Sequence, residues 1–77
     1  MNKYNQIYKS RIRDNHDIVN IINDYMKQNP DIRFFQALYN LGIMDNKNID
    51  RFYEEPGETL TRMMTTDFVK NYKKELN

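Results

Sequence analysis

Seventy-seven residues, 39% hydrophobic and 30% charged, make one small folded domain, too short for a second core and too apolar for a disordered tail. The absence of cysteine excludes a disulfide framework and cysteine-ligated zinc, and the longest apolar run, Ala37-Leu38-Tyr39, is far short of the roughly 20 residues that span a bilayer. A formal net charge of +1 argues against a strongly electrostatic partner for the chain as a whole.

The charges are nonetheless uneven. Residues 1–13 carry Lys3, Lys9, Arg11 and Arg13 against no acid, a sum of +4, whereas residues 14–31 set Asp14, Asp17, Asp24 and Asp31 against Lys27, a sum of −3. The opening residues lack the apolar block of a signal peptide, so a cytoplasmic, non-membrane protein is expected. Tyr4, Ile7, Tyr8 and Ile12 are spaced as one face of a helix, but the segment has no strong cap. Residues 1–13 therefore read as a basic N-terminal segment, either an arm or a short helix, preceding a helical domain over residues 14–77.

From His16 to Gln28 the apolar residues Ile18, Val19, Ile21, Ile22, Tyr25 and Met26 alternate with Asn20, Asn23, Asp24 and Lys27 in a 3.6-residue period, which predicts an amphipathic helix capped by Asp14 or Asn15. Asn29 as N-cap, Pro30 at the first helical position and Gly42 as left-handed C-cap frame a second helix through Ile32–Leu41. It is apolar nearly all round apart from Arg33, Gln36 and Asn40, and is expected at the centre of the fold. Ile49, Phe52 and Tyr53 suggest a short helix before Pro56. Pro56-Gly57 reads either as a turn or as the first turn of the last helix, with Glu58 near its positive pole. Leu60, Met64, Phe68, Tyr72 and Leu76 then recur every four residues, joined by Met63 and Val69, with a bend expected at Thr65-Thr66 and Lys70, Lys73 and Lys74 near the negative pole. The class expected is all-α, a small single-domain helical bundle of three to five helices, with a core of Leu38, Leu41, Ile21, Ile22, Met64 and Phe68.

Catalytic constellations are sparse. The one serine, Ser10, and one histidine, His16, fall in or beside the least defined segment, and His16 and Asp17 are neighbours that point about 100 degrees apart on a helix. Glu54, Glu55 and Glu58 form the one tight carboxylate group, which reads as an acidic surface pairing with Arg51 or Arg62 rather than as a metal site. No cofactor or metal is expected, and the chain reads as a non-enzyme.

Two binding readings remain. Arg33, Gln36 and Asn40 lie in one line along the second helix. They are either satisfied inside the fold, for example Arg33 with Glu54 or Glu55, or exposed between Phe35 and Tyr39 as an arginine-aromatic contact surface. The second case defines a protein-binding site of Arg33, Phe35, Gln36, Tyr39, Asn40, Arg51 and Tyr53, with Phe34, Leu38 and Leu41 on the other, core-facing side. A homodimer would also cover such a surface. The alternative is a nucleic-acid-binding protein whose Lys3, Lys9, Arg11 and Arg13 meet phosphates while Tyr4 and Tyr8 stack on bases.

The run Asn29-Pro30-Asp31-Ile32-Arg33-Phe34-Phe35-Gln36-Ala37-Leu38-Tyr39-Asn40-Leu41-Gly42-Ile43, followed by Phe52-Tyr53-Glu54-Glu55-Pro56 and Thr59-Leu60-Thr61-Arg62-Met63, resembles a pattern in short uncharacterised helical proteins of low-GC bacteria and their phages. Eleven asparagines fit the AT-rich coding of such genomes. The resemblance implies a compact helical domain of phage or mobile-element origin, acting as a modulator of a host protein. It carries over no catalytic residue, and the basic start lies outside it.

Overall fold

A single helix organises the molecule. The computed structural model describes the backbone of residues 3–76 and, within it, the side chains of residues 6–72. Helix α1 (Lys3–Gln28) has 26 residues and is therefore about 39 Å long, most of the 45 Å longest dimension of the chain. Three short helices, α2 (Phe34–Asn40), α3 (Pro56–Met63) and α4 (Asp67–Leu76), each pack against it. With these helices and no strand among the described residues, the all-α class expected from the sequence is the class observed.

The N-terminal segment and the first amphipathic helix are continuous. Asp14 and Asn15, expected as caps, lie in the middle of α1. Helical propagation across them costs little because the residues before them, from Gln6 to Arg13, include no glycine or proline and already carry a helical apolar spacing. The side chains of Lys3, Tyr4, Lys73, Lys74 and Leu76 lie outside the described residues.

The second helix starts later than expected, at Phe34 rather than Pro30. Asn29 is drawn into the end of α1 instead: its amide and its side-chain Nδ2 both donate to the Tyr25 carbonyl, at 3.0 and 2.9 Å. Pro30 then occupies the second position of a turn closed by the Ile32 amide on the Asn29 carbonyl (3.0 Å), a position its fixed φ suits. Arg33 is the extended N-cap, and the Gln36 side chain accepts its amide at 3.1 Å. The C-terminus follows the expectation. Gly42 has φ +76, its amide donates to Tyr39 and that of Ile43 to Leu38, the two bonds of a Schellman ending. A Cβ on Gly42 would stand 3.2 Å from the Arg62 carbonyl, so α2 ends pressed against the last turn of α3.

Pro56 opens α3, with Glu58 in its first turn, the second of the two readings. The expected last helix is broken into α3 and α4 at Met64–Thr66. Both threonine hydroxyls turn back on the helix, Thr65 to the Arg62 carbonyl (2.8 Å) and Thr66 to that of Met63 (2.6 Å), and Thr66 then accepts the Lys70 amide (3.1 Å) to start the next helix.

That break rotates the core. Ile21, Leu41, Met63 and Val69 are the fully buried cluster, with Ala37 also buried. Ile21 and Leu41 were expected there. Met64 and Phe68 are only partly buried beside Met63 and Val69, because two helices at an angle do not present one four-residue stripe. Leu38 is half-buried, and Phe34 is more than half exposed. A helix of 7 residues cannot be enclosed by its neighbours, so α1 and not α2 is the central element. Tyr25 ties these parts together, meeting Phe68 edge to face at 5.0 Å and accepting Asn40 Nδ2 on its hydroxyl at 3.0 Å.

Candidate protein-interaction site

The connection from α2 to α3 contains no helix where Ile49, Phe52 and Tyr53 suggested one. Short polar side chains divert it. Asp45 accepts the Lys47 amide at 3.0 Å and Asp50 accepts the Phe52 amide at 2.9 Å, side-chain turns that compete with helical bonding. Arg51-Phe52-Tyr53-Glu54 then forms a tight turn, closed by the Glu54 amide on the Arg51 carbonyl at 3.0 Å.

Charge fixes this turn at both ends. Arg51 pairs with Asp45 (2.9 Å) and Glu54 (3.1 Å). Glu54 also receives both terminal nitrogens of Arg62, at 2.6 and 2.9 Å, and the Thr59 hydroxyl at 2.7 Å. Arg62 in turn donates Nε to the Gly42 carbonyl (2.9 Å) and NH2 to that of Ile43 (3.0 Å), so one guanidinium joins α3, the end of α2 and the turn. The Arg62 hydrogen bonds, with those from Thr59 and Arg51, outweigh desolvation and pull the Glu54 carboxyl down to about 2. Glu55, the next residue, holds Arg11 of α1 through two bonds of 3.0 and 2.6 Å. That pair lowers the Glu55 pKa and raises that of Arg11.

The side chains carried at the tip do not take part in this network. Phe52 is 81% exposed and Tyr53 88%, their rings edge to face at 4.8 Å. Turn centres ordinarily take Gly, Pro, Asn or Asp, and here two large aromatic rings stand in water on a turn that charge holds still. A cleft of about 350 Å³ separates them from Arg11 and Asn15 of α1, with Glu54, Glu55 and Pro56 at its base. A larger one, of about 680 Å³, lies between the first half of α1 and the start of α3, where Asp14 Oδ2 would stand 3.2 Å from a Cβ on Gly57.

The sequence-predicted residues divide accordingly. Tyr53 is at the tip, and Phe35 (65% exposed) and Tyr39 lie on the open side of α2, where Phe34, expected in the core, joins them. Arg33 and Gln36 are exposed but form the N-terminal cap of α2, and Asn40 is exposed and bonded to Tyr25. Arg51 belongs to the clamp. The proposed pairing of Arg33 with Glu54 or Glu55 is not what the structure has: Glu54 takes Arg62 and Arg51, as the alternative reading of the acidic group anticipated, and Glu55 takes Arg11. Phe52 is the residue that sequence reasoning missed. The signal was the Asp45 and Asp50 turn chemistry around it, which forbids the helix that would have hidden one of the two rings.

For the nucleic-acid reading, Arg11 is spent on Glu55 and stacks over the Tyr8 ring at 5.7 Å, while Arg13 bonds Asp14 and Ser10 at 3.3 Å. Lys9 is exposed on the next face of α1, and the side chain of Lys3 is among those not described. Among the described residues no group of three or more His, Cys, Asp or Glu is placed to hold a metal ion, and no helix is long and apolar enough to cross a membrane. Comparison with known protein families, with curated proteins and with solved structures gives no match.

Proposed function

We propose that this chain is a non-catalytic protein-binding module whose principal anchor is the Phe52-Tyr53 tip, with Phe35 and Tyr39 as a second aromatic contact. The observation that carries the reading is the contrast within one turn: Arg51 and Glu54 are locked by ion pairs while the two rings between them are over four-fifths exposed. A fixed aromatic pair loses little conformational freedom on docking, which is what a hot spot requires. The clamp residues Arg51 and Arg62 then act as positioning residues. A role as a phage-borne modulator of a host protein rests on the sequence resemblance alone and is part of the same proposal.

The test is capture from lysate of a low-GC bacterium, with nuclease present, after the oligomeric state has been measured. The bound protein should be lost by the variant Phe52→Ala/Tyr53→Ala and retained when Lys3, Lys9, Arg11 and Arg13 are neutralised. Loss on neutralisation, with normal binding by the aromatic variant and steep weakening in salt, would replace this reading with the nucleic-acid one.

A further inference from the structure

Helix α1 carries two parallel apolar stripes, and the fold uses one. Ile18, Ile21 and Tyr25 face the core cluster. Tyr8, Ile12, Asn15 and Val19, spaced four, three and four, lie about 100 degrees away, and Ile12 (69%) and Val19 (62%) are open to solvent. Ile22 and Met26 continue the same spacing under partial cover. This is the seam of a heptad, with β-branched residues at one position and a polar Asn at the other. It reaches the aromatic tip at Asn15, which lines the cleft beside Phe52 and Tyr53.

The charges of α1 sort by face. Asp14, Asp17 and Asp24 are all half-buried, Asp14 against Gly57 and Asp24 accepting the Tyr72 hydroxyl at 2.8 Å. Lys9, Arg13 and Lys27 are all exposed, Arg13 with its bond to Asp14 running along the helix. The −3 read over residues 14–31 therefore does not appear on the outward side of α1, which is an apolar seam flanked by cations and by the neutral pair His16 and Asn20. Together with the tip, the seam exposes on the order of 600 Å² of largely apolar surface, close to the roughly 800 Å² that one partner contributes to a standard interface.

We infer that this groove, formed by Tyr8, Ile12, Asn15 and Val19 with Phe52 and Tyr53, receives an amphipathic helix of a partner protein whose flanks are acidic. The inference rests on the protein-binding reading and names the partner's chemistry. A second copy of the chain fits poorly, because α1 against α1 opposes Lys9, Arg13 and Lys27 with the same cations and no acid. An anionic membrane fits poorly as well, because Asn15 interrupts the seam and Glu54, Glu55 and Glu58 surround the foot of the tip. An acidic helix satisfies the cations, and Asn15 sets its register.

The probe is a displayed library of helical peptides as long as α1, apolar at the heptad seam and randomised among Glu, Gln and Lys on the flanks, selected against the full chain. Survivors should carry Glu on their flanks and bind at least about tenfold more weakly to the Ile12→Gln/Val19→Gln variant, whose circular dichroism should be unchanged because both side chains are exposed. Reversal of charge by Lys9→Glu/Lys27→Glu should shift selection to Lys flanks. Survivors without a flank preference, or indifferent to Ile12 and Val19, overturn the inference. So do a dimer in sedimentation that Ile12→Gln/Val19→Gln abolishes, and co-sedimentation with phosphatidylserine vesicles. If the lysate partner is lost with Phe52→Ala/Tyr53→Ala but kept by Ile12→Gln/Val19→Gln, the groove fails while the protein-binding module stands. If both variants keep it, the module itself fails.

Discussion

The two ends of α1 are held by different physics. Around its second half, apolar burial and a half-buried polar cluster coincide: Ile21 packs with Leu41, Met63 and Val69, and Arg62 stitches two backbone carbonyls to Glu54. Its first half is tied down at Arg11–Glu55, an exposed pair, and at the contact of Asp14 with Gly57, while Ile12 stands in solvent. The difference teaches that in so small a domain rigidity is local. Contacts at one end do not extend to the other merely because a helix joins them.

The sharpest way to test that contrast is truncation of apolar side chains at each end. Leu41→Ala should cost about 2 to 5 kcal/mol, a large part of the stability of a domain this size, whereas Ile12→Ala should fall within about 0.5 kcal/mol of zero. Urea midpoints of the two variants measure this, and equal losses would erase the distinction between the ends.

Next in size is the clamp. Arg62→Met keeps the aliphatic stem but leaves Glu54 and the Gly42 and Ile43 carbonyls without their donor, and should destabilise by roughly 2 to 3 kcal/mol. Since the same change frees the turn, partner binding should fall even though neither Phe52 nor Tyr53 is touched. Normal binding by a folded Arg62→Met variant would show that the tip does not need positioning.

Acid offers a gentler probe of the same cluster. Glu54 has its pKa lowered to about 2 in the folded chain, so its contribution is present above the ordinary carboxyl range and is lost as pH falls toward that value. Stability should therefore drop by on the order of 1 to 2 kcal/mol between about pH 5 and pH 2 through this group, allowing for solvent near the surface. Glu54→Gln should start lower and lose less over that range. A variant with the full acid slope would place the pH dependence elsewhere.

The smallest effect belongs to the far end. Arg11→Ala should lower the thermal midpoint only slightly, and by an amount that disappears in high salt, because Arg11 and Glu55 are both well exposed. A large, salt-insensitive loss would mean that the first half of α1 is part of the cooperative unit after all.

Sequence periodicity located the helices wherever one face was buried for several turns. It served well for Ile18 to Tyr25 and for the Gly42 cap, whose left-handed φ no other residue adopts as readily. It misled where short polar side chains redirect the backbone. Asn29 was taken as an N-cap and serves the end of α1, Thr65 and Thr66 divide what looked like one helix, and Asp45 and Asp50 unwind another. Such residues hydrogen-bond equally well in several local geometries, and packing selects among them. Of the candidate site, Phe35, Tyr39 and Tyr53 were legible as aromatic surplus. Partner choice among the arginines was not, since Arg11 and Arg62 reach Glu55 and Glu54 across sequence separations of 44 and 8 residues that a one-dimensional pattern cannot rank.

Because α1 is one continuous helix with its buried contacts gathered around Ile21, its backbone amides form a ruler along which local opening can be read. Exchange with deuterium should be slowest near Ile18 to Tyr25, where opening requires the core to separate, and should quicken progressively toward Gln6, where a turn can unwind alone. A bound helix along the outward seam would flatten that gradient without changing a single hydrogen bond in the structure, so the profile of exchange along α1 would report occupancy of the seam from inside the helix itself.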